Sequence, residues 1–336
     1  MEKIIKILKE KKSIPLDKFI NIALYDKEEG YYIKKNPFGK EGDFITSPSI
    51  SNLFSEMLAL WFVAFWENLG KPKRIIISEL GPGDGSLCLD LLKTFKKFKN
   101  FYNSLEVNLF EISNKLKKTQ NKKIQNNKVK WINNLDEIKN GPVIFFANEF
   151  FDALPIKQIF KRKNLLVEKH VTLKNNKKEL KFLYKKIDKK LIKYDKILNL
   201  SKNKHMLEYP IDAIEYLSQI SKIINKFNGA LLIFDYGYIL NKNKNTLQSV
   251  MNHRYNNIFS NIGSSDITSH IDFGLFSEIL KKNDLIVKKI TTQSEFLQKM
   301  GIIERANILS KNMTFKSKPN MYYRLKRLLN PNDMGD

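Results

Sequence analysis

Glu79, Gly81, Gly83, Asp84 and Gly85 fall within seven residues, directly after the apolar run Ile75-Ile76-Ile77 and before Ser86-Leu87. The pattern predicts a strand, a tight turn and a helix start. Glycine tolerates positive φ and has no Cβ to keep a ligand away, which is how nucleotide-like molecules are held at a strand's carboxyl end. A dinucleotide site wants G-x-G-x-x-G above a helix N-terminus that takes a pyrophosphate. The spacing here is G-x-G-x-G, with Asp84 placed where a pyrophosphate would be repelled. Glu79, just before the turn, can accept from an ammonium group. These features favour a zwitterionic adenosyl ligand such as S-adenosylmethionine, with a dinucleotide and a purely structural turn as the alternatives.

A second run, Leu105-Glu106-Val107-Asn108-Leu109-Phe110, ends at Glu111. A carboxylate there can take both ribose hydroxyls, although it lies further from the glycines than the roughly 20 residues usual for such an acid. A solvated strand-end acid is the plainer alternative. A third run, Val143 to Ala147, leads into Asn148-Glu149-Phe150-Phe151-Asp152. In an open α/β sheet the carboxyl ends of neighbouring strands share one crevice, so Gly83, Glu111 and Asn148 are expected to converge. Asn148 to Phe151 also has the polar-x-x-aromatic outline of sites that methylate amino nitrogens. There a side-chain carbonyl accepts from the target N–H and an aromatic ring faces the electron-poor methyl. The same residues would also serve as a capped helix start.

The elements that must position these residues follow from the chain's punctuation. Residues 1–70 read as helices around a long glycine-bearing loop, with Asp17 as a cap for the second helix and Ser51 or Asn52 starting the third. Residues 71–160 and 205–336 read as the α/β core, including a helix near Ile211–Phe227 and the strand Ala230–Phe234 before Asp235. Residues 161–204 carry short alternating runs, Leu165–Glu168, Val171–Leu173 and Leu180–Tyr184, expected to form an inserted antiparallel subdomain. Asp266, Thr268, His270 and Asp272, spaced by two, would share one face of an extended segment. With four histidines in the chain and no paired-histidine spacing, no metal site is expected.

The combination resembles the MidA-like family of S-adenosylmethionine-dependent methyltransferases. The likeness rests on Ala23 to Asp26, Gly30-Tyr31-Tyr32, Gly42 to Pro48, Glu79 to Leu87, Asn148 to Pro155, Asp235-Tyr236-Gly237, Thr246-Leu247-Gln248, His253, Asp266 to Phe273 and Gln293 to Leu297. It implies a Rossmann-like class I methyltransferase sheet. It also implies a lid, residues 42–48, whose Asp43, Thr46 and Ser47 touch the cofactor beside Glu79, Gly81, Gly83, Gly85, Glu111 and Asn148. The family includes a mitochondrial complex I assembly factor that dimethylates an arginine. The implied activity is therefore arginine N-methylation of a complex I subunit or its bacterial counterpart. Glu149 and Asp152 are the candidates for localising charge on the guanidinium, with Asp266 and His253 behind them. Ser55 stands where the family has glycine.

Composition sets bounds. Apolar residues make up 42% of 336, with 23 Phe, as in a globular chain. One cysteine, Cys88, excludes an internal disulfide framework and a cysteine-cluster metal site. The N-terminus lacks a signal peptide's apolar core and carries Glu2 and Glu10, unlike a transit peptide, so a cytoplasmic protein without a membrane span is expected. Net charge is +24, almost all from lysine, with Arg only at 74, 162, 254, 305, 324 and 327. Lysine is the poorer residue for bidentate phosphate or base recognition. The charge reads as a lysine-rich solvated surface, while RNA methylation and a non-catalytic, cofactor-binding assembly role stay open as alternatives.

Overall fold

A computed structural model describes residues 2–34, 47–162, 165–175, 178–187, 205–239 and 245–336. The chain divides into two compact units. One comprises Phe38–Glu149, Ile220–Phe234 and Asp284–Asp336; the other comprises Met1–Pro37, Phe150–Gln219 and Asp235–Asn283.

The first unit is built on five parallel strands: β1 (Ile75–Leu80), β2 (Leu105–Phe110), β3 (Val129–Ile132), β4 (Val143–Asn148) and β5 (Gly229–Phe234), in the order β5-β4-β1-β2-β3. All six residues of β1 are buried, which explains why Ile75-Ile76-Ile77 run without alternation: a parallel strand covered on both faces has no solvent side to alternate with. Register puts Leu80 opposite both Phe110 and Ala147, and Phe234 opposite Asn148. The carboxyl ends of four strands therefore stand at one level. On one face, Phe62 from the helix Asn52–Asn68, Phe95 from the helix Ser86–Phe95 and Phe146 of β4 meet edge-on, with centroids 5.8 to 5.9 Å apart. Ser51 caps the first of these helices, its hydroxyl accepting from the Leu53 N–H. Ser55, in place of the family's glycine, is buried in that helix. Cys88 is buried in the second helix, in keeping with a packing role.

The second unit holds an antiparallel sheet whose spine is one strand, Leu165–Leu173, where two short ones were expected. One edge of this spine pairs first with Lys157–Arg162 and then with Ser13–Pro15; the other pairs with Leu180–Lys186. Met206–Tyr209 extends the sheet beyond Lys157–Arg162. The sheet thus reaches outside residues 161–204, because Ser13–Pro15 from the N-terminal segment completes it. Asp17 departs from its expected role: Leu16–Tyr25 has no side-chain cap, and Asp17 instead meets Lys157 at 3.0 Å. Lys157 also bonds Glu168, so one ammonium holds two carboxylates, and all three side chains are nearly buried. Burial opposes the charge on Lys157, but the two carboxylates outweigh it and raise its pKa.

Removing one member of a buried ion cluster leaves the remaining charges uncompensated. Lys157→Met is expected to destabilise the chain by about 3–5 kcal/mol in urea denaturation. A loss below about 1 kcal/mol would mean that the two carboxylates find water or protons at no cost.

Candidate active site

The glycine turn leaves β1 with the Gly81 N–H donating to the Phe110 carbonyl at 3.0 Å, and Gly81, Gly83 and Gly85 all have positive φ. Gly85 shows why a side chain is excluded. Its φ is +78°, and a Cβ there would lie 3.1 Å from Ile124 Cδ1 and 3.2 Å from Gln120 Cγ. The helix Asn114–Ile124 thus presses against the turn. Asp84 is pinned by the Ser86 N–H (2.9 Å), the Ser86 hydroxyl (2.8 Å) and the Lys123 ammonium (2.6 Å). Burial raises the Asp84 pKa, but those donors more than offset it and the net shift is downward. A fixed anion at this helix start is poorly suited to a pyrophosphate.

Glu79 is buried at the end of β1, 4% exposed. Burial, and then Asp84, push its pKa up to about 8. Such a carboxylate beside a backbone cradle suits an α-ammonium group. Glu111 is likewise buried, its two oxygens accepting from the Ser113 N–H (2.8 Å) and Gln120 Nε2 (3.2 Å). Burial raises its pKa, and those donors partly counter the rise.

At the end of β4, Asn148 Nδ2 approaches a Glu149 carboxylate oxygen at 3.4 Å. Glu149 takes φ +51°, uncommon for a side-chain-bearing residue, while its N–H donates to the Phe234 carbonyl at 2.9 Å. Burial lifts its carboxyl pKa to about 7 against the pull of the Ser47 N–H and Asn148. Backbone strain together with a carboxyl poised near neutrality points to a working residue. The Ser47 hydroxyl, expected to face the cofactor, donates instead to Gln293 Oε1 at 2.8 Å. Asp43 and Thr46 lie outside the described residues.

The other unit gathers a second constellation. The Tyr32 hydroxyl donates to both Asp266 oxygens, at 3.1 and 3.0 Å, and Tyr25 stacks on the Tyr32 ring with centroids 5.5 Å apart. The Tyr25 hydroxyl donates to the Ala153 carbonyl at 2.9 Å. Burial, Asp266 and, further down, Tyr25 and Asp152 raise the Tyr32 pKa well above its ordinary value. Asp235 accepts the Phe151 and Asp152 N–H groups (3.0 and 3.3 Å), fixing the backbone around Asp152. Asp152 and Asp266 are thus brought to one phenol. The four spaced residues from Asp266 do not share a face: Asp266–Thr268 and Ile271–Asp272 are separate short strands, His270 between them is exposed, and Asp272 caps the helix Phe273–Lys282. His253 sits exposed with Asn252 in the hairpin turn between Gln248–Met251 and Arg254–Asn256, both at positive φ. Tyr25, Tyr32, Gln120 and Gln293 were not singled out as site residues. Tyr25, Tyr32 and Gln293 had a sequence signal, in Ala23 to Asp26, Gly30-Tyr31-Tyr32 and Gln293 to Leu297, whereas Gln120 had none.

Such a sheet, with its acid-flanked glycine turn at the point where strand order reverses, is that of a class I S-adenosylmethionine-dependent methyltransferase. A family model described as "Putative S-adenosyl-L-methionine-dependent methyltransferase" matches residues 57–291, and the chain belongs to that family. The relatives named protein arginine methyltransferase NDUFAF7, mitochondrial, are 28% identical in Xenopus tropicalis (96% of this chain, 80% of the relative) and 27% in Homo sapiens (94% and 78%). A crystal structure from Burkholderia thailandensis, bound to S-adenosyl-homocysteine, shares the fold with a TM-score of 0.83 at 20% identity, over 100% of this chain and 89% of that one. The mitochondrial names of these relatives overturn the cytoplasmic expectation. The charges near residues 2–10 and the lack of a long apolar run, on which that expectation rested, do not fix a compartment.

Cofactor binding should therefore be linked to protons. Pairing of the cofactor's ammonium with an ionised Glu79, whose pKa is pushed up to about 8, would make affinity for S-adenosylhomocysteine rise from pH 6 to pH 7 by close to tenfold. Calorimetry at pH 7 in buffers of different ionisation enthalpy should register release of about one proton. Glu79→Gln should remove the slope; a native protein with no slope would exclude Glu79 as the ammonium's partner.

Proposed function

We propose that this methyltransferase acts on an arginine side chain of a protein, a respiratory complex I subunit or its bacterial counterpart. The observation that carries the arginine reading is the constellation of Tyr32 and Asp266 with Tyr25 and Asp152. A guanidinium is planar, delocalised and permanently charged; it stacks on aromatic faces and pairs with carboxylates through a fixed fork of donors. Stacked phenols next to two aspartates supply both features. The names of the relatives support the same reading, and the complex I assignment rests on the sequence resemblance alone.

The cofactor supplies an activated methyl, so the protein's contribution is chiefly alignment. Asn148 and Glu149 end β4, and the Glu149 carboxylate is the group suited to localise charge on one guanidinium nitrogen and aim its lone pair. The ionised form does this work. Since its pKa is raised to about 7, activity is present above that value and lost as pH falls through it.

Glu149→Gln should leave S-adenosylhomocysteine affinity unchanged and lower turnover by about 10²–10⁴-fold. At saturating cofactor, the native kcat should fall below pH 7; retained turnover in the variant would remove Glu149 from the chemistry. The substrate class is tested with methyl-labelled S-adenosylmethionine and a lysate of the source cells. Protease-sensitive label that hydrolyses to methylarginine is the expected result. Ribonuclease-sensitive label would replace the reading with RNA methylation, and no label despite cofactor binding would favour an assembly role without turnover.

A further inference from the structure

The Gln120 side chain touches both halves of the proposed cofactor cradle. It is completely buried. Its Nε2 donates to the Gly83 carbonyl at 2.7 Å and to Glu111 Oε2 at 3.2 Å, while its Oε1 accepts from Trp131 Nε1 at 2.7 Å. Both amide protons and the carbonyl are therefore occupied, which fixes the orientation of the amide plane. Trp131 lies on β3, outside the cradle, and packs against the hydrophobic core. The same helix presses on Gly85 through Gln120 and Ile124 and holds Asp84 through Lys123.

We infer that Gln120, oriented by the Trp131 indole, is a positioning residue that holds the Glu111 carboxylate and the Gly83 peptide at a set separation, so that ribose recognition depends on it. The inference rests on Glu111 being the ribose acceptor. The reasoning is geometric. A carboxylate can rotate about its last bond, and a diol gains two charge-assisted hydrogen bonds only when both oxygens lie in the right plane. The Ser113 N–H holds one oxygen of Glu111. Gln120 holds the other and ties it to the glycine turn, so two segments more than 25 residues apart in sequence are kept in register by one amide. An apolar side chain of similar length would fill the same volume without setting that plane.

The test compares two ligands on each protein: S-adenosylhomocysteine and its 2′,3′-dideoxy analogue, with binding followed by calorimetry. The ratio of their dissociation constants isolates the ribose hydroxyls, whereas a general loosening of the site weakens both ligands alike. The native protein should show a ratio on the order of a hundredfold, and Glu111→Ala should bring it near one. Gln120→Met should collapse the ratio to within about threefold of one, and Trp131→Phe should lower it part of the way. A ratio unchanged in both Gln120→Met and Trp131→Phe, with Glu111→Ala collapsed, overturns the role of Gln120 alone. A native ratio near one, or a ratio retained in Glu111→Ala, overturns the ribose reading and this inference with it. If Gln120→Met does not fold, Trp131→Phe decides: at least a threefold drop, about half of one hydrogen bond's worth, supports the role, and an unchanged ratio overturns it.

Discussion

The first unit depends on the registration of parallel strands around β1. In a buried parallel sheet every backbone group must find a neighbour, so strands align along their lengths and their carboxyl ends come to one level. Because β2 and β4 lie on opposite sides of β1, the connections from neighbouring strands diverge there and leave room at the strand ends. The Gly81–Gly85 turn, Glu111 and Asn148-Glu149 each follow directly from one of these strand ends. No side-chain contact is needed to explain their common level; hydrogen-bond register suffices.

That arrangement has an electrostatic cost. Glu79 and Glu149 are buried carboxylates, and burial without full compensation favours their neutral forms. Asp84, two glycines away from Glu79, is driven the opposite way because a lysine and a serine satisfy it. Burial thus drives Glu79 and Glu149 up while hydrogen-bond and charge partners drive Asp84 down, within one unit. The two with raised pKa values are the ones whose proposed roles involve a cationic ligand, which would supply the missing compensation.

The second unit meets buried charge differently. Asp17 and Glu168 share the Lys157 ammonium inside the sheet, whereas both oxygens of Asp266 accept from the Tyr32 phenol.

Sequence by itself determined the elements with strong local signals. The apolar runs Ile75–Ile77 of β1 and Val143–Ala147 of β4, the alternate glycines and the acid closing β2 follow from propensity, period and the glycine-only backbone of the turn, all set by neighbours within a few residues. Tertiary structure alone decided which distant groups became partners. Asp17 looked like a helix cap and became an ion-pair member because Lys157 arrives from a strand 140 residues away. His270 left the spaced polar set because its segment breaks between two short strands, and His253 became a turn residue because the chain reverses there. Gln120 carries no local pattern, being one more polar residue in a lysine-rich helix, and its position beneath the glycine turn exists only once β2 and β3 have paired. Periodicity is a property of a segment, whereas a hydrogen bond between remote side chains depends on where the whole chain brings them.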